Sequence, residues 1–446
     1  MAPLTLQERD GVRSQPKRGH RRKRGRHARP RKPLAGLLPP GQAGWILAVI
    51  ALVDATGTGV YLAGSVLFFV RSVGLDAVEV GVGMSAAGVV GLVTMVPLAA
   101  AADRFGARRT LIALQTWRGV WFAAFALVHT FPEFLAVSLM LGVANQAVPP
   151  INQAVVAAAI EGTARVRAMA QTRVMRNAGF SLGAVAATGV IALDSASWFR
   201  SIVVADGVSF FVTAILLARL RLLRPAAPAG RGPWWHGLRP REDPWYFALA
   251  GLNGILALHM TLLSVGLPLW IAQHTHALRW VVGVAVFTNT VLAVLFQMPA
   301  SRGCEQAPAA ARRARAAGLM LAVCCLVAAG TGGLPADLAV VGSLLAVTAL
   351  TVGELWQSAS AWGVSYALAP PERQATYLSV FNLGVAAQTI VGPTLVTVVV
   401  VNHGWAGWGG LAVTFALAGA GMPIAARRCL AGRGARRPGA VTQGLA

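Results

Sequence analysis

Two carboxylates stand where this chain offers them little water. Asp54 sits in LVDATGTGVYL and Glu354 in VGELWQSASAW, each well inside a long apolar stretch. An ionisable side chain at such a depth is costly to desolvate, so each marks a functional site by default. A carboxylate there can take up and release a proton, or hold a cationic or polar group. Small residues beside Asp54 (Ala55, Thr56, Gly57, Gly59) leave room for a neighbouring helix or a ligand. The competing reading for both acids is structural, a hydrogen bond across a pair of helices.

The elements that carry them follow from composition. The chain has 446 residues, 56% hydrophobic and 12% charged, against about 25% charged in an ordinary soluble domain. Too little polar side chain is present to cover a water-facing globule. Apolar windows of about 20 residues, each long enough to cross about 30 Å of hydrocarbon as a helix, recur from end to end. Twelve spans are predicted, near 44–70, 79–101, 109–130, 134–159, 170–193, 199–219, 245–272, 280–300, 316–334, 338–363, 375–401 and 405–426. The first is a span rather than a cleaved signal, since no apolar core of signal length follows the basic N-terminus.

Charge orients them. The formal net charge is +23, and the first 34 residues hold twelve Lys or Arg. Beside a membrane span such a tail keeps a terminus cytoplasmic and touches anionic lipid; we read it so, and expect no nucleic-acid partner. Loop by loop, 35 of the 39 Lys and Arg fall on one side, Arg165, Arg167, Arg173 and Arg176 among them. Arg71, Arg200 and Arg279 fall on the other, and Arg118 lies inside a span. Both termini are therefore expected in the cytoplasm. Cys324 and Cys325 lie within a span and Cys304 and Cys429 in basic segments, so neither a disulfide nor a metal site is expected.

The Pro-, Gly- and Arg-rich run from Arg219 to Pro244 reads as a linker. Trp234 and Trp235 in it suit either a surface helix or interfacial anchors. The predicted organisation is a disordered basic tail (1–43), six helices (44–220), the linker (221–243), six helices (244–428) and a second tail (429–446). The halves repeat one another. Gly81 and Pro97 match Gly283 and Pro299 in spacing, Gly142/Gln146 match Gly353/Gln357, and Asn177/Gly179 match Asn382/Gly384. Parallel repeats of six spans are one way transporters are built.

Between spans 2 and 3 the apolar run breaks at LAAAADRFGARRTL, residues 98–111. This loop resembles the signature of the major facilitator superfamily, Gly-x-x-x-Asp-Arg-x-Gly-Arg-Arg/Lys. Asp103, Arg104 and Gly106 match; Ala99 replaces the leading Gly and Ala107 a basic residue, with Arg108 and Arg109 following. The second half keeps a remnant, SRGCEQAPAAARRAR. Asp103 is placed to approach the N-terminus of a neighbouring helix, and Gly106 permits a tight reversal. We assign Asp103, Arg104, Gly106, Arg108 and Arg109 to a cytoplasmic gating loop.

The resemblance implies an all-α membrane fold of twelve transmembrane helices in two pseudo-symmetric six-helix bundles, with spans 1, 4, 7 and 10 around a central cavity. On that basis Asp54 and Glu354 are candidates for proton coupling and substrate recognition. Asn145, Gln146, Asn152, Asn253, His259, Trp356 and Gln357 are candidate cavity polar residues, with Asn289 and Gln297 further possibilities. His259 reads as a hydrogen-bonded spacer rather than a proton relay. Arg118 and Asp206 belong to peripheral spans and read as structural, paired with backbone or polar neighbours. Gly179 and Gly183 form a face for close helix contact, and Trp270 and Trp280 read as interfacial belt residues.

The expected function is secondary transport by alternating access, coupled to protons, with efflux of drug-like or natural-product molecules. Two acids on cavity helices suit a cationic or polar substrate. An uptake symporter for a small metabolite is the alternative, and a non-transporting scaffold or sensor a further one. No Walker loop is present, the outer loops are too short for a membrane enzyme's acidic catalytic loop, and no cofactor is expected. The Arg-over-Lys and Ala/Gly bias suits a bacterial inner (plasma) membrane. The expected partners are a small-molecule substrate, protons and the lipid bilayer, around a monomer.

Overall fold

A computed structural model describes residues 41–162, 164–192, 196–223, 241, 243–277 and 280–435. The N-terminal basic tail, Trp234 and Trp235, most of the linker and Arg279 lie outside them. The first half of the chain folds as α1 (Gln42–Leu67), α2 (Ala77–Phe105), α3 (Ala107–Phe125), α4 (Phe131–Asn145), α5 (Val148–Ala159), α6 (Ala164–Ala192) and α7 (Ala196–Arg219). The second half folds as α8 (Pro244–Ala257), α9 (His259–Thr261), α10 (Leu267–His274), α11 (Trp280–Ala300), α12 (Ala307–Gly330), α13 (Ala336–Leu368) and α14 (Gln374–Ala435).

Several passes are interrupted where local chemistry requires it. α4 and α5 run on from one another across Gln146–Ala147, where Pro149 and Pro150 lack the N–H that a continuous helix needs. A π-helical turn, Leu262–Gly266, lies between α9 and α10. α14 is two helices joined at Gly404, whose φ of 51° takes a residue without Cβ. Its second part runs to Ala435, past the predicted end at 428.

Ten helical stretches among the described residues are long and apolar enough to cross a membrane. α3 and α6 are outside that set. They carry Arg108, Arg109 and Arg118, and Arg165, Arg167, Arg173 and Arg176. This corrects the sequence reading, which left Arg173 and Arg176 among the loop charges.

Helices pack mainly within their own half: α1 on α6 and α7, α3 on α7, and α2 on α4; then α12 on α13 and α14, and α8 on α14. Between halves, α14 meets α2 and α5, while α6 meets α11 and α13. One glycine device serves both halves. A Cβ on Gly179 would lie 2.6 Å from the Leu52 carbonyl of α1, and one on Gly384 would lie 2.7 Å from the Ala250 carbonyl of α8. The Gly142/Gln146–Gly353/Gln357 match does not carry over: Gly142 faces Ala87 of α2, whereas Gly353 faces Leu321 of α12.

Burial is uneven along the helices between the halves. On α6, residues 168–172 are buried, while 181, 182, 184–186, 188 and 189 are exposed. α14 is buried over 375–381 and mostly exposed over 389–398; α2 is buried over 99–102 and mostly exposed over 78–85. The buried stretches all lie toward the end that bears Arg104, Arg108 and Arg165. The bundle is closed at this arginine-rich end.

Trp270 is not an interfacial residue. It is 4% exposed, donates from Nε1 to Thr331 Oγ1 at 2.9 Å, stacks on His274 and meets Trp408 edge-on. Trp280, at 54% exposure, does face outward.

Candidate functional site

Asp54 lies midway along α1, 8% exposed, where Gly179 and Gly183 bring α6 close. Its Oδ1 accepts from Gln115 Nε2 at 3.2 Å and from Arg118 Nη1 at 3.4 Å; its Oδ2 accepts from Arg176 Nη1 at 3.5 Å. Arg118 is no peripheral residue. Its Nε donates to Asn145 Oδ1 at 3.0 Å, its Nη1 also donates to Gln115 Oε1 at 2.8 Å, and its guanidinium lies 3.8 Å from the Phe210 ring centroid. It pairs with polar neighbours, as expected, but its expected peripheral place is corrected: α3 turns it inward onto Asp54. Asp206 of α7 is fully buried, with Oδ1 accepting from Ser209 and Oδ2 without a partner.

Glu354 of α13 is 7% exposed and both its oxygens are engaged. Oε1 pairs with Arg173 of α6 across the two halves, and Oε2 accepts from Asn289 Nδ2 at 2.8 Å. Asn289 also donates to Thr351 Oγ1 at 3.1 Å. His259 donates from Nδ1 to the Leu256 carbonyl at 2.8 Å, as a spacer does, yet its buried Nε2 has no partner. Gln357 donates to Asn253 Oδ1 at 2.8 Å within the second half.

α6 therefore joins the two acids. Arg173 and Arg176 are three residues apart on one helical face; one reaches Glu354 of the other half and one reaches Asp54 of its own. Neither acid is a bare carboxylate, so protonating Glu354 would cancel a charge pair that bridges the halves.

A cavity of about 40 Å³ opens beside Asp54. Gln115, Asn152, Arg176 and Thr213 line it together with apolar residues such as Leu47 and Leu217. The remaining candidates scatter. Gln146 lies against Gly91 of α2. Trp356 packs with Leu355 and with Ala293 and Ala300 of α11, under the guanidinium of Arg313. Gln297 is buried with neither amide atom partnered.

At the closed end, Asp103 accepts from the backbone N–H groups of Ala375 (2.7 Å) and Thr376 (2.8 Å), in the first turn of α14. It serves as an N-cap supplied by another helix. Gly106 reverses the chain between α2 and α3 at φ 97°. Arg108 donates to the Leu220 carbonyl at 2.6 Å, Arg104 lies over Phe105, and Arg109 is exposed. Tyr366 Oη donates to the Gln153 carbonyl at 2.9 Å, another bond between halves.

The family model of the Major Facilitator Superfamily matches residues 45–393, most of the helical chain. The chain belongs to the major facilitator superfamily. Members of this superfamily are membrane transporters of small molecules, not enzymes. No curated protein matches the chain in sequence. Solved structures share the fold. A bacterial homologue of the iron transporter ferroportin, in an outward-facing state, superposes with a TM-score of 0.66 at 11% identity, covering 88% of this chain and 100% of its own. The human organic anion transporter MFSD10 (TETRAN) gives 0.61 at 16% identity, with 86% and 100% covered. The proton:xylose symporter XylE, with a bound deoxyglucose analogue, gives 0.60 at 13% identity, with 85% and 95% covered.

Arg118, Arg173 and Arg176 are what the sequence reading missed in this superfamily member. A signal was present. Arg173 and Arg176 lie within the predicted span 170–193, where arginine is as costly as Asp54 is in its own span.

Proposed function

We propose that the chain is a proton-coupled secondary transporter that exports drug-like or natural-product molecules by alternating access. In this reading twelve helices form two six-helix bundles, α1–α7 and α8–α14. The arginine-rich end faces the cytoplasm, as its charge excess favours, and both termini lie there. The closed arginine-rich end then makes this an outward-facing arrangement, in the bacterial inner membrane.

The observation that carries the reading is the pair of arginines on α6 that engages one acid in each half. Protonation of Glu354 removes the charge from an inter-half pair buried at 17% and 10% side-chain exposure. That weakens the closed end and lets the halves rock apart. Asp54, held by Arg118 and Arg176, sits on the same helix contact and takes part in the same exchange.

Proteoliposomes loaded to an acidic lumen test this, with a panel of amphiphilic anions, amphiphilic cations and small metabolites. Uptake against the proton gradient, lost in Glu354→Gln or Asp54→Asn, is the expected result. Solute moving only with the proton gradient would make the protein an uptake symporter. A panel that moves neither under this gradient nor under its reverse, in protein of intact fold, would favour the scaffold reading.

A further inference from the structure

The acids that first suggested a cationic substrate have little left to offer one. Both Asp54 oxygens and both Glu354 oxygens already accept hydrogen bonds, from Gln115, Arg118 and Arg176 and from Arg173 and Asn289. The oxygen of Asp206 that lacks a partner belongs to a residue of 0% exposure, behind α1, where a Cβ on Gly57 would lie 2.7 Å from its other oxygen. A cation at Asp54 or Glu354 would compete with the arginine already paired to that acid, and Asp206 is sealed from the cavity.

Donors are the opposite case. Arg176 has five N–H groups and gives one to Asp54 at 3.5 Å, the outer limit of a hydrogen bond. Its side chain is 43% exposed and lines the cavity of about 40 Å³. Thr213 lines the same cavity, fully buried, with a hydroxyl that has no partner. That volume is a few times the roughly 10–15 Å³ one water needs, so the cavity takes a head group rather than a whole molecule. Leu47, Ile50, Leu111, Val156 and Leu217 form its apolar walls, and Phe180 lies 5.4 Å from the Arg176 guanidinium.

We infer that Arg176, with the Thr213 hydroxyl, anchors an oxyanion of the transported molecule, and that the substrate class is amphiphilic anions: a carboxylate or similar group on an apolar body. This rests on the reading of the space beside Asp54 as part of the transport path. A guanidinium binds a carboxylate through two parallel N–H bonds, in a geometry a lysine cannot copy. Full entry of the apolar body requires the arginine-rich end to open and widen the cavity.

The test is equilibrium binding to the full chain in nanodiscs of zwitterionic lipid, using 2-naphthoate and, as its cationic counterpart, 2-naphthylmethylammonium. Saturable binding of naphthoate that the ammonium does not compete away is expected. Arg176→Lys should weaken it roughly tenfold or more, the equivalent of a charge-assisted hydrogen bond, and Thr213→Val should weaken it by less. Arg176→Gln should abolish binding, and Arg176→Lys carries the test if that variant fails to fold. Absence of naphthoate binding, equal binding of the ammonium, or unchanged affinity in the Arg176→Lys and Arg176→Gln proteins would each overturn the assignment. Proton coupling is read separately by the gradient experiment, so an exporter of cations would refute the substrate class and leave the coupling intact.

Discussion

Arg118 is held by four neighbours of different chemistry: the Asp54 carboxylate, the Gln115 and Asn145 amides, and the face of Phe210. Guanidinium geometry explains why one residue can satisfy all of them, since its donors fork in a plane while its face stays free to stack. Its side chain is 11% exposed and that of Asp54 12%. Removing one member of such a pair leaves a desolvated charge, at a cost of roughly 3 kcal/mol. Arg118→Leu should therefore lower the thermal midpoint of the purified protein by several degrees. Arg118→Lys, which keeps the charge without the fork, should fall between. An unchanged midpoint in Arg118→Leu would mean that Arg176 and Gln115 suffice for Asp54.

Helix contact is set by residues with no side chain to argue from. A Cβ on Gly183 would strike the Thr56 carbonyl oxygen and lie 2.7 Å from the Val60 nitrogen, both backbone atoms that cannot give way, whereas one on Gly189, on the same helix, meets nothing within 4 Å. Gly183→Ala is expected to destabilise the protein by about 1–3 kcal/mol through overpacking of α1 on α6. Gly189→Ala should raise stability by up to about 1 kcal/mol, because it restricts the unfolded chain. Parallel melting curves decide: equal effects of the two would remove the contact as an explanation. This face was legible as a Gly-x-x-x-Gly pattern, as was the existence of the helices, because apolar length is a one-dimensional property. Arg173 and Arg176 fall inside the predicted span 170–193, but their partners were not legible. Their charge looks identical in a loop and in a helix, and only α13, 181 residues further on, shows what Arg173 faces. Trp270 misled for the same reason: a tryptophan near a span end reads as a membrane anchor until Thr331 of α12 is found at its indole nitrogen.

Across the molecule, closure at the arginine-rich end depends on few polar contacts over an apolar seal. Asp103 caps α14 from the other half, Tyr366 reaches Gln153, and Leu378, at 0% exposure, sits in the apolar cluster that includes Ala99 and Ala102 of α2. Asp103→Ala leaves the Ala375 and Thr376 N–H groups without their acceptor. Hydrogen bonds to a charged group contribute about 1.5–3 kcal/mol, so the closed-to-open ratio should fall about tenfold or more. The native cysteines make this measurable, since all four are buried and burial pushes the Cys304 thiol above its usual range, which keeps it from the reactive thiolate. The native protein should label slowly with a charged maleimide. Leu378→Cys should add a site that also labels slowly in the closed molecule, and several-fold faster once combined with Asp103→Ala. The same rate in both backgrounds would show that the apolar seal, rather than the cap on α14, holds this end shut. The halves would then part only when the Glu354–Arg173 pair is lost, which Glu354→Gln in the same labelling assay would reveal as the faster reaction.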